Sequence, residues 1–153
     1  MPPKVALART VVLVLVAWLV IRAIITLVAS DAIIDSFVDA KLEGSGVDDN
    51  GAFRDQYADG APALGPIAVV SAILFGGLLA FAAVSFAKRA QWARIVAIVF
   101  AVLSVLGGLL GLVQADIPFW YTATGFVNAA LGIAVLVLLF SKDASGWFSR
   151  KVA

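Results

Sequence analysis

The chain has 153 residues, of which 63% are hydrophobic and only 14% are charged, and its formal net charge is +1. Soluble domains carry about 25% charged residues, so this composition indicates a membrane protein and shows no overall bias toward nucleic acid. The sequence contains no Cys and no His. It therefore excludes disulfides and thiolate chemistry, and it lacks the commonest general base and metal ligand.

Four apolar stretches are each long enough to cross about 30 Å of hydrocarbon as a helix. The predicted spans cover residues 8–30, 64–87, 95–115 and 118–141. Because these runs are continuously apolar and do not alternate, they predict helices and not a β-barrel. We therefore predict an all-α fold in one domain, 1–153. It is a four-helix transmembrane bundle with a small extracytoplasmic cap formed by the first loop, residues 31–62.

The first apolar stretch has a second interpretation, because a basic start and small residues before Asp31 are also typical of a secretory signal peptide. Two features favour an uncleaved span. The stretch is longer than the 7–15 residues or so of a signal peptide's apolar region, and Arg22 interrupts it. Cleavage would leave three spans and would place the new N-terminus outside the cell.

The distribution of Lys and Arg predicts the orientation. One set of segments holds eight cations and the single acid Asp143, namely Lys4, Arg9, Lys88, Arg89, Arg94, Lys142, Arg150 and Lys151. The first and third loops hold nine acids but only Lys41 and Arg54. The basic side is therefore predicted to be cytoplasmic, with both termini inside and the protein in the plasma membrane.

The start of the first loop, Asp31–Leu42, predicts an amphipathic helix. Apolar residues share one face, and Asp31, Asp35, Asp39 and Glu43 recur every fourth residue on the other. Like charges at this spacing repel one another. A docking face for a cation or a basic partner is therefore one interpretation, and a solvated helix face that keeps the loop outside is the preferred one.

The rest of the loop is predicted to contain a turn at Asp48–Gly51 and one or two helical turns at Ala52–Ala58. The Asp48–Asn50 cluster resembles part of a calcium loop. Its register is broken because position 46 is Gly, and no Glu closes the loop. No calcium site, other metal site or cofactor is predicted.

Apart from Arg9 at the start of the first span, Arg22 is the only Lys, Arg, Asp or Glu inside a predicted span, and a charge there requires a partner or access to the membrane surface. It lies eight residues before Ser30, and Asn128 lies eight residues after Trp120, so both are predicted at about 12 Å below the outer boundary. The sequence predicts a polar contact between Arg22 and the pair Thr124 and Asn128, with the ring face of Trp18 nearby. This site would either bind an anion or headgroup, or only join two helices.

Small residues recur at four-residue spacing in the spans and predict close helix packing. The rows are Ala72, Gly76 and Ala80; Gly107 and Gly111; and Gly125 and Ala129 with Gly132 near them. A homo-oligomer formed through these rows is an alternative to packing within the bundle.

Two basic segments also contain aromatic residues, which is typical of anchors at the membrane interface. They are the tail with Trp147 and Phe148, and the segment from Lys88 to Arg94 with Trp92. The aromatic side of the tail is predicted to face the lipid.

The segment from Lys88 to Ile98, KRAQWARIVAI, resembles the basic-Trp-Ala-Arg entry to the third span in small four-span (tetraspan) integral membrane proteins of actinobacterial type. The Ala/Val/Leu-rich spans and the long first external loop are similar as well. The resemblance implies a fold and a compartment, and it carries over no functional residue. The large first loop is also similar to that of claudin-like tetraspans, but their Trp and Cys signature is missing.

These observations favour a non-enzymatic accessory or scaffold protein that binds other membrane proteins or lipid through its spans and its acidic loop. No predicted span contains Asp, Glu or His, which speaks against proton- or sodium-coupled transport and against catalysis in the membrane. The alternative is a small pore or permease component for an anion or a lipid headgroup at Arg22. A water-accessible cavity at Arg22 would favour this alternative, and a tightly packed, dry bundle would favour the scaffold.

Overall fold

The computed structural model describes residues 1–45, 55, 64–113 and 118–150. These residues form six α-helices and one short 3-10 helix, Phe86–Lys88, and contain no β-strand. The α-helices are α1 (Pro3–Val28), α2 (Ser30–Ser45), α3 (Leu64–Ser85), α4 (Gln91–Leu110), α5 (Phe119–Leu139) and α6 (Lys142–Ser149). The predicted turn at 48–51, the helical turns at 52–58 and Asp116 lie outside the described residues, except for Asp55.

Four of these helices, α1, α3, α4 and α5, are long and apolar enough to cross a membrane. Their 26, 22, 20 and 21 residues correspond to about 30–39 Å at 1.5 Å per residue. Large apolar side chains remain exposed along their outer faces, as at Ile24, Ile73, Val99 and Val137, which is how a lipid-facing surface is built. The predicted all-α four-helix transmembrane bundle is confirmed.

Two helices begin earlier than the apolar runs alone suggested. α1 begins at Pro3, since proline is favoured in the first turn of a helix, where its missing N–H is not needed. α4 begins at Gln91, so Trp92 and Arg94 lie within its first turn. The turn before α4 contains Arg89, which has a positive φ of 56°.

The bundle consists of two closely packed pairs, α1 with α3 and α4 with α5, which are joined by contacts of α1 with α5 and of α3 with α4. Lys4 and Asp143 form an ion pair of 3.3 Å, so both termini lie at the same end. We call this end, which also carries residues 88–94 and α6, the basic end. The opposite end, from which α2 continues, is the acidic end.

Small residues bring α4 and α5 together, but the row on α4 differs from the predicted one. A Cβ added to Gly107 would meet nothing within 4 Å, whereas a Cβ on its neighbour Gly108 would collide with the carbonyl oxygen of Gly125. Gly108 continues the buried row Ala93, Ala97 and Ala101, because 101 and 108 are two helical turns apart. On α5 the predicted residues Gly125, Ala129 and Gly132 are buried.

Large core side chains concentrate in the half of the bundle near the basic end. Leu15, Leu79, Phe86 and Leu139 are at most 1% exposed and belong to one continuous apolar cluster. The half near the acidic end instead buries small or polar residues, among them Ala23, Thr26 and Asn128. The bundle is therefore densely filled at one end and polar at the other.

The C-terminal helix α6 closes the basic end. The Ser141 hydroxyl accepts a hydrogen bond from the Ala144 N–H and caps the helix. Phe148 is 4% exposed and meets the Phe86 ring edge-on, with centroids 5.3 Å apart. Trp147 Nε1 donates to the carbonyl oxygen of Phe86 at 3.0 Å. The prediction that the aromatic side of the tail faces lipid is therefore wrong, because both aromatic residues contact Phe86 of the 3-10 helix.

α2 has the predicted amphipathic arrangement. Val38 and Leu42 are buried, while all four acidic residues of the ladder are exposed. The Ile33 N–H donates to the Ala29 carbonyl, so α2 follows α1 almost without interruption.

Candidate functional site

Arg22 lies on α1, six residues before the helix ends at Val28, which corresponds to about 9 Å at 1.5 Å per residue. Its side chain is partly buried. Arg is always charged in proteins and carries five N–H donors. Inside a membrane helix these donors require acceptors from other helices, from water or from lipid.

Arg22 reaches α5, as predicted, through Thr124. Its Nε donates to Thr124 Oγ1 at 3.0 Å, and the Thr124 hydroxyl in turn donates to the carbonyl oxygen of Tyr121 at 2.6 Å. The Tyr121 ring centroid lies 5.1 Å from the guanidinium carbon of Arg22, within the range of a cation–π interaction. The aromatic face near Arg22 is thus that of Tyr121. Trp18 uses its Nε1 instead, to donate to the carbonyl oxygen of Thr124 at 3.3 Å.

A second chain of hydrogen bonds runs in the opposite direction. Thr26 Oγ1 lies 2.8 Å from the Tyr121 hydroxyl and donates to the carbonyl oxygen of Arg22 at 2.9 Å. Because a hydroxyl has one proton to donate, this assigns Tyr121 as the donor to Thr26. The Arg22 side chain is thus connected to the Tyr121 backbone, and the Tyr121 side chain to the Arg22 backbone. We call Trp18, Arg22, Thr26, Tyr121 and Thr124 the Arg22 cluster.

The cluster uses only part of the hydrogen-bonding capacity of Arg22. Nε is occupied by Thr124, but the four N–H groups on Nη1 and Nη2 have no acceptor among residues 1–45, 55, 64–113 and 118–150. The four spans also contain no Asp or Glu that could neutralise the charge. The guanidinium is therefore held in place while most of its donors and its full charge remain available.

Two cavities flank Arg22 and Tyr121. The first has a volume of about 170 Å³ and lies between α1, α3 and α5, with the hydroxyl residues Thr26 and Ser71 in its wall. The second, of about 120 Å³, lies between α1, α4 and α5 and includes Gly107, Gly111 and Thr122. Both are in the half of the bundle where large core side chains are sparse.

Asn128 does not take the predicted role. It is 6% exposed, and its Oδ1 is buried without a hydrogen-bond partner among the described residues. Thr124 lies one turn closer to the acidic end, and Arg22 bonds at that level. The predicted equal depth does not hold: Arg22 lies six residues before the end of α1, whereas Asn128 lies nine residues after the start of α5 and Thr124 only five.

Tyr121 and Thr26 were not among the predicted site residues. A signal for both was present: Thr26 lies four residues after Arg22, and Tyr121 lies three residues before Thr124, so each shares a helix face with a predicted site residue. Ser71 had no comparable signal, because its position depends on how α3 packs against α1.

The second candidate site was the acidic face of α2. Asp31, Asp35, Asp39 and Glu43 are all exposed along one side of the helix. Asp35 and Asp39 already take part in interactions with other groups. Lys41 lies over the ring of Phe37 at 5.4 Å, so the face is not purely anionic.

At the basic end, Arg94 of α4 forms hydrogen bonds that join α5 and α6. One Nη of Arg94 donates to the carbonyl oxygen of Leu139 at 2.8 Å and to Ser145 Oγ at 2.9 Å. Its guanidinium carbon lies 5.8 Å from the centroid of the Phe148 ring. Arg94 thus satisfies the carbonyl at the end of α5 and holds α6 in place.

In the described part of the chain, no group of three or more Asp and Glu side chains is arranged to hold a metal ion. Searches with the chain match no family model, no curated protein and no solved structure.

Proposed function

We propose that this protein is a non-enzymatic accessory or scaffold protein of the plasma membrane that binds lipid or other membrane proteins. The proposal rests on the hydrogen bonding of the Arg22 guanidinium. Its Nε is fixed on α5, its other donors have no protein acceptor in the described residues, and the residue lines two cavities. A cation that is held in place while most of its donors are unused is suited to the recognition of an anionic group.

Composition supports the non-enzymatic part of the proposal. The chain has no His or Cys, and its spans contain no carboxylate, so general acid–base catalysis within the membrane would lack its usual groups. The charge distribution supports an orientation with the basic end in the cytoplasm and the acidic face of α2 outside.

The second candidate function is a pore or permease component for an anion, and the cavities beside Arg22 favour it. The other half of the bundle weighs against it. Leu15, Leu79, Phe86 and Leu139 are completely buried and fill the centre between Arg22 and the basic end. An anion crossing the bundle would have to displace this packed cluster.

Two measurements on the full-length protein separate these functions. The first is affinity purification in mild detergent, with bound lipids and proteins identified by mass spectrometry and each protein partner checked by reciprocal purification. The second is chloride and phosphate flux in proteoliposomes. We expect the same lipids or partners in repeated purifications and no flux above protein-free vesicles. Flux that disappears in Arg22→Leu would overturn the proposal in favour of the permease.

A further inference from the structure

The proposed function leaves open which lipid or protein is bound, and the unused N–H donors of Arg22 indicate the chemical class of the ligand. The geometry points to a phospholipid of net negative charge, whose phosphodiester binds the Nη groups of Arg22 in the cavity between α1, α3 and α5. This inference rests on the proposed function, since it names the lipid that such a protein would hold.

The charge of the site requires an anion. A guanidinium in an apolar span is costly unless it is compensated, and neither the spans nor the Arg22 cluster contains a carboxylate. The Tyr121 ring face, 5.1 Å away, and one hydroxyl acceptor compensate only part of the charge. A site with residual positive charge favours a headgroup of net negative charge over a zwitterionic one, because the ammonium of the latter would be repelled.

The level of the site suits a headgroup. α5 has 21 residues and a length of about 32 Å, close to the hydrocarbon thickness of about 30 Å, so its first residue, Phe119, lies near the membrane boundary. The guanidinium contacts Tyr121 and Thr124, which lie about 3 and 8 Å below Phe119 at 1.5 Å per residue. A lipid phosphate of the leaflet at the acidic end needs only a small inward shift to meet it.

The shape of the site suits a phosphodiester. The cluster fixes Nε, and this leaves the planar pair of Nη groups as a fork that matches two oxygens of a phosphate. The cavity has a volume of about 170 Å³, well above the minimum that a single water requires. The hydroxyl residues Thr26 and Ser71 stand beside Arg22, and Leu19, Ala72 and Phe75 form an apolar wall suited to the start of an acyl chain.

Native mass spectrometry of the full-length protein tests the inference, with phosphatidylglycerol and phosphatidylcholine titrated separately. We expect phosphatidylglycerol to bind about tenfold more tightly to the wild type, because both lipids offer the same phosphodiester but only phosphatidylcholine adds an ammonium that the Arg22 charge repels. Arg22→Gln should abolish this preference. Arg89→Gln removes the same charge at the basic end and should retain it. Arg22→Lys should keep the preference, because the positive charge remains, but it should weaken the binding of both lipids, because Lys lacks the fork.

Equal affinity of the wild type for the two lipids, or an equal loss of preference in Arg22→Gln and Arg89→Gln, would overturn the inference. Competition identifies the source of the phosphate. If millimolar inorganic phosphate displaces the lipid from the wild type, the site binds a free anion and the lipid assignment is wrong.

Circular dichroism and monodispersity in detergent show whether Arg22→Gln folds. If it does not, the wild-type titration and the phosphate competition still decide the question. A missing lipid preference without anion flux would contradict this inference alone and would leave a scaffold that binds proteins. Anion flux that depends on Arg22 would contradict the proposed function, whatever lipid is bound.

Discussion

A hydrogen bond of 3.0 Å joins Arg22 Nε on α1 to Thr124 Oγ1 on α5, across 102 positions of sequence. It connects the two helix pairs of the bundle at the acidic end, where few large apolar side chains hold them together. The first prediction concerns the strength of this link. In a double-mutant cycle with Arg22→Leu and Thr124→Val, we expect a coupling energy of about 0.5–1.5 kcal/mol, typical of hydrogen bonds between membrane helices. Unfolding in mixed SDS micelles measures it.

Thr10→Val is the matched control for Thr124→Val. Thr10 lies on α1 near the basic end, and its hydroxyl bonds only its own helix, at the Ala6 carbonyl. Its effect should add to that of Arg22→Leu without coupling. Additive behaviour of the Arg22 and Thr124 substitutions would show that the hydrogen bond does not contribute to stability.

The second prediction concerns the contact between α4 and α5. Gly108→Ala should destabilise the protein by about 1–3 kcal/mol, the usual range for an overpacked site. The new Cβ would collide with backbone atoms of Gly125 and lie 2.8 Å from the Ala129 Cβ. Gly107→Ala adds the same methyl group into open space and should be neutral or slightly stabilising, because Ala favours helix over Gly. Thermal unfolding in detergent compares the two, and equal effects would mean that α4 is rotated differently about its axis.

The third prediction concerns closure of the basic end by α6. Phe148→Ala should cost about 3–5 kcal/mol, as is usual for a buried Phe, because the ring is 4% exposed and packs against Phe86. Phe140→Ala, at a position that is 63% exposed, should cost much less. Proteolysis of the C-terminal segment in detergent provides the readout, with rapid cleavage expected only for Phe148→Ala. If Phe148→Ala and Phe140→Ala are cleaved equally fast, α6 does not pack against the bundle in detergent.

The fourth prediction concerns α2. Val38 is 1% exposed, so Val38→Asp places a charge where no water reaches it and should expose the segment to protease. Asp39→Asn changes an exposed side chain and should shift stability by less than about 1 kcal/mol, as for most surface charges. A large binding or growth defect from Asp39→Asn would instead identify the acidic face as a docking site.

The fifth prediction concerns orientation. A reporter that is active only in the cytoplasm should function when fused after Ala153 and fail when inserted within residues 44–51. The reason is that eight of the eleven Lys and Arg residues belong to the segments at the basic end. A mature N-terminus near Asp31 would instead show that the first span is removed as a signal peptide.

The sequence alone determined the architecture of this protein. Four apolar runs of sufficient length predict four membrane-spanning helices, because backbone N–H and C=O groups in hydrocarbon must form their hydrogen bonds within the helix. The amphipathic pattern of Asp31–Leu42 predicted α2 for a similar reason, since burial of one face follows directly from helical periodicity. The cost of a lone guanidinium in a span identified Arg22 as a residue that needs partners.

The tertiary structure decided which partners each residue has. Residues three or four apart share a helix face, but the rotation of that face toward a neighbour depends on all contacts of the bundle together. For this reason Gly108 and not Gly107 meets α5, and the Tyr121 ring and not that of Trp18 lies over Arg22. The same contacts turn Trp147 and Phe148 toward Phe86, and hydropathy alone cannot distinguish such a contact from lipid.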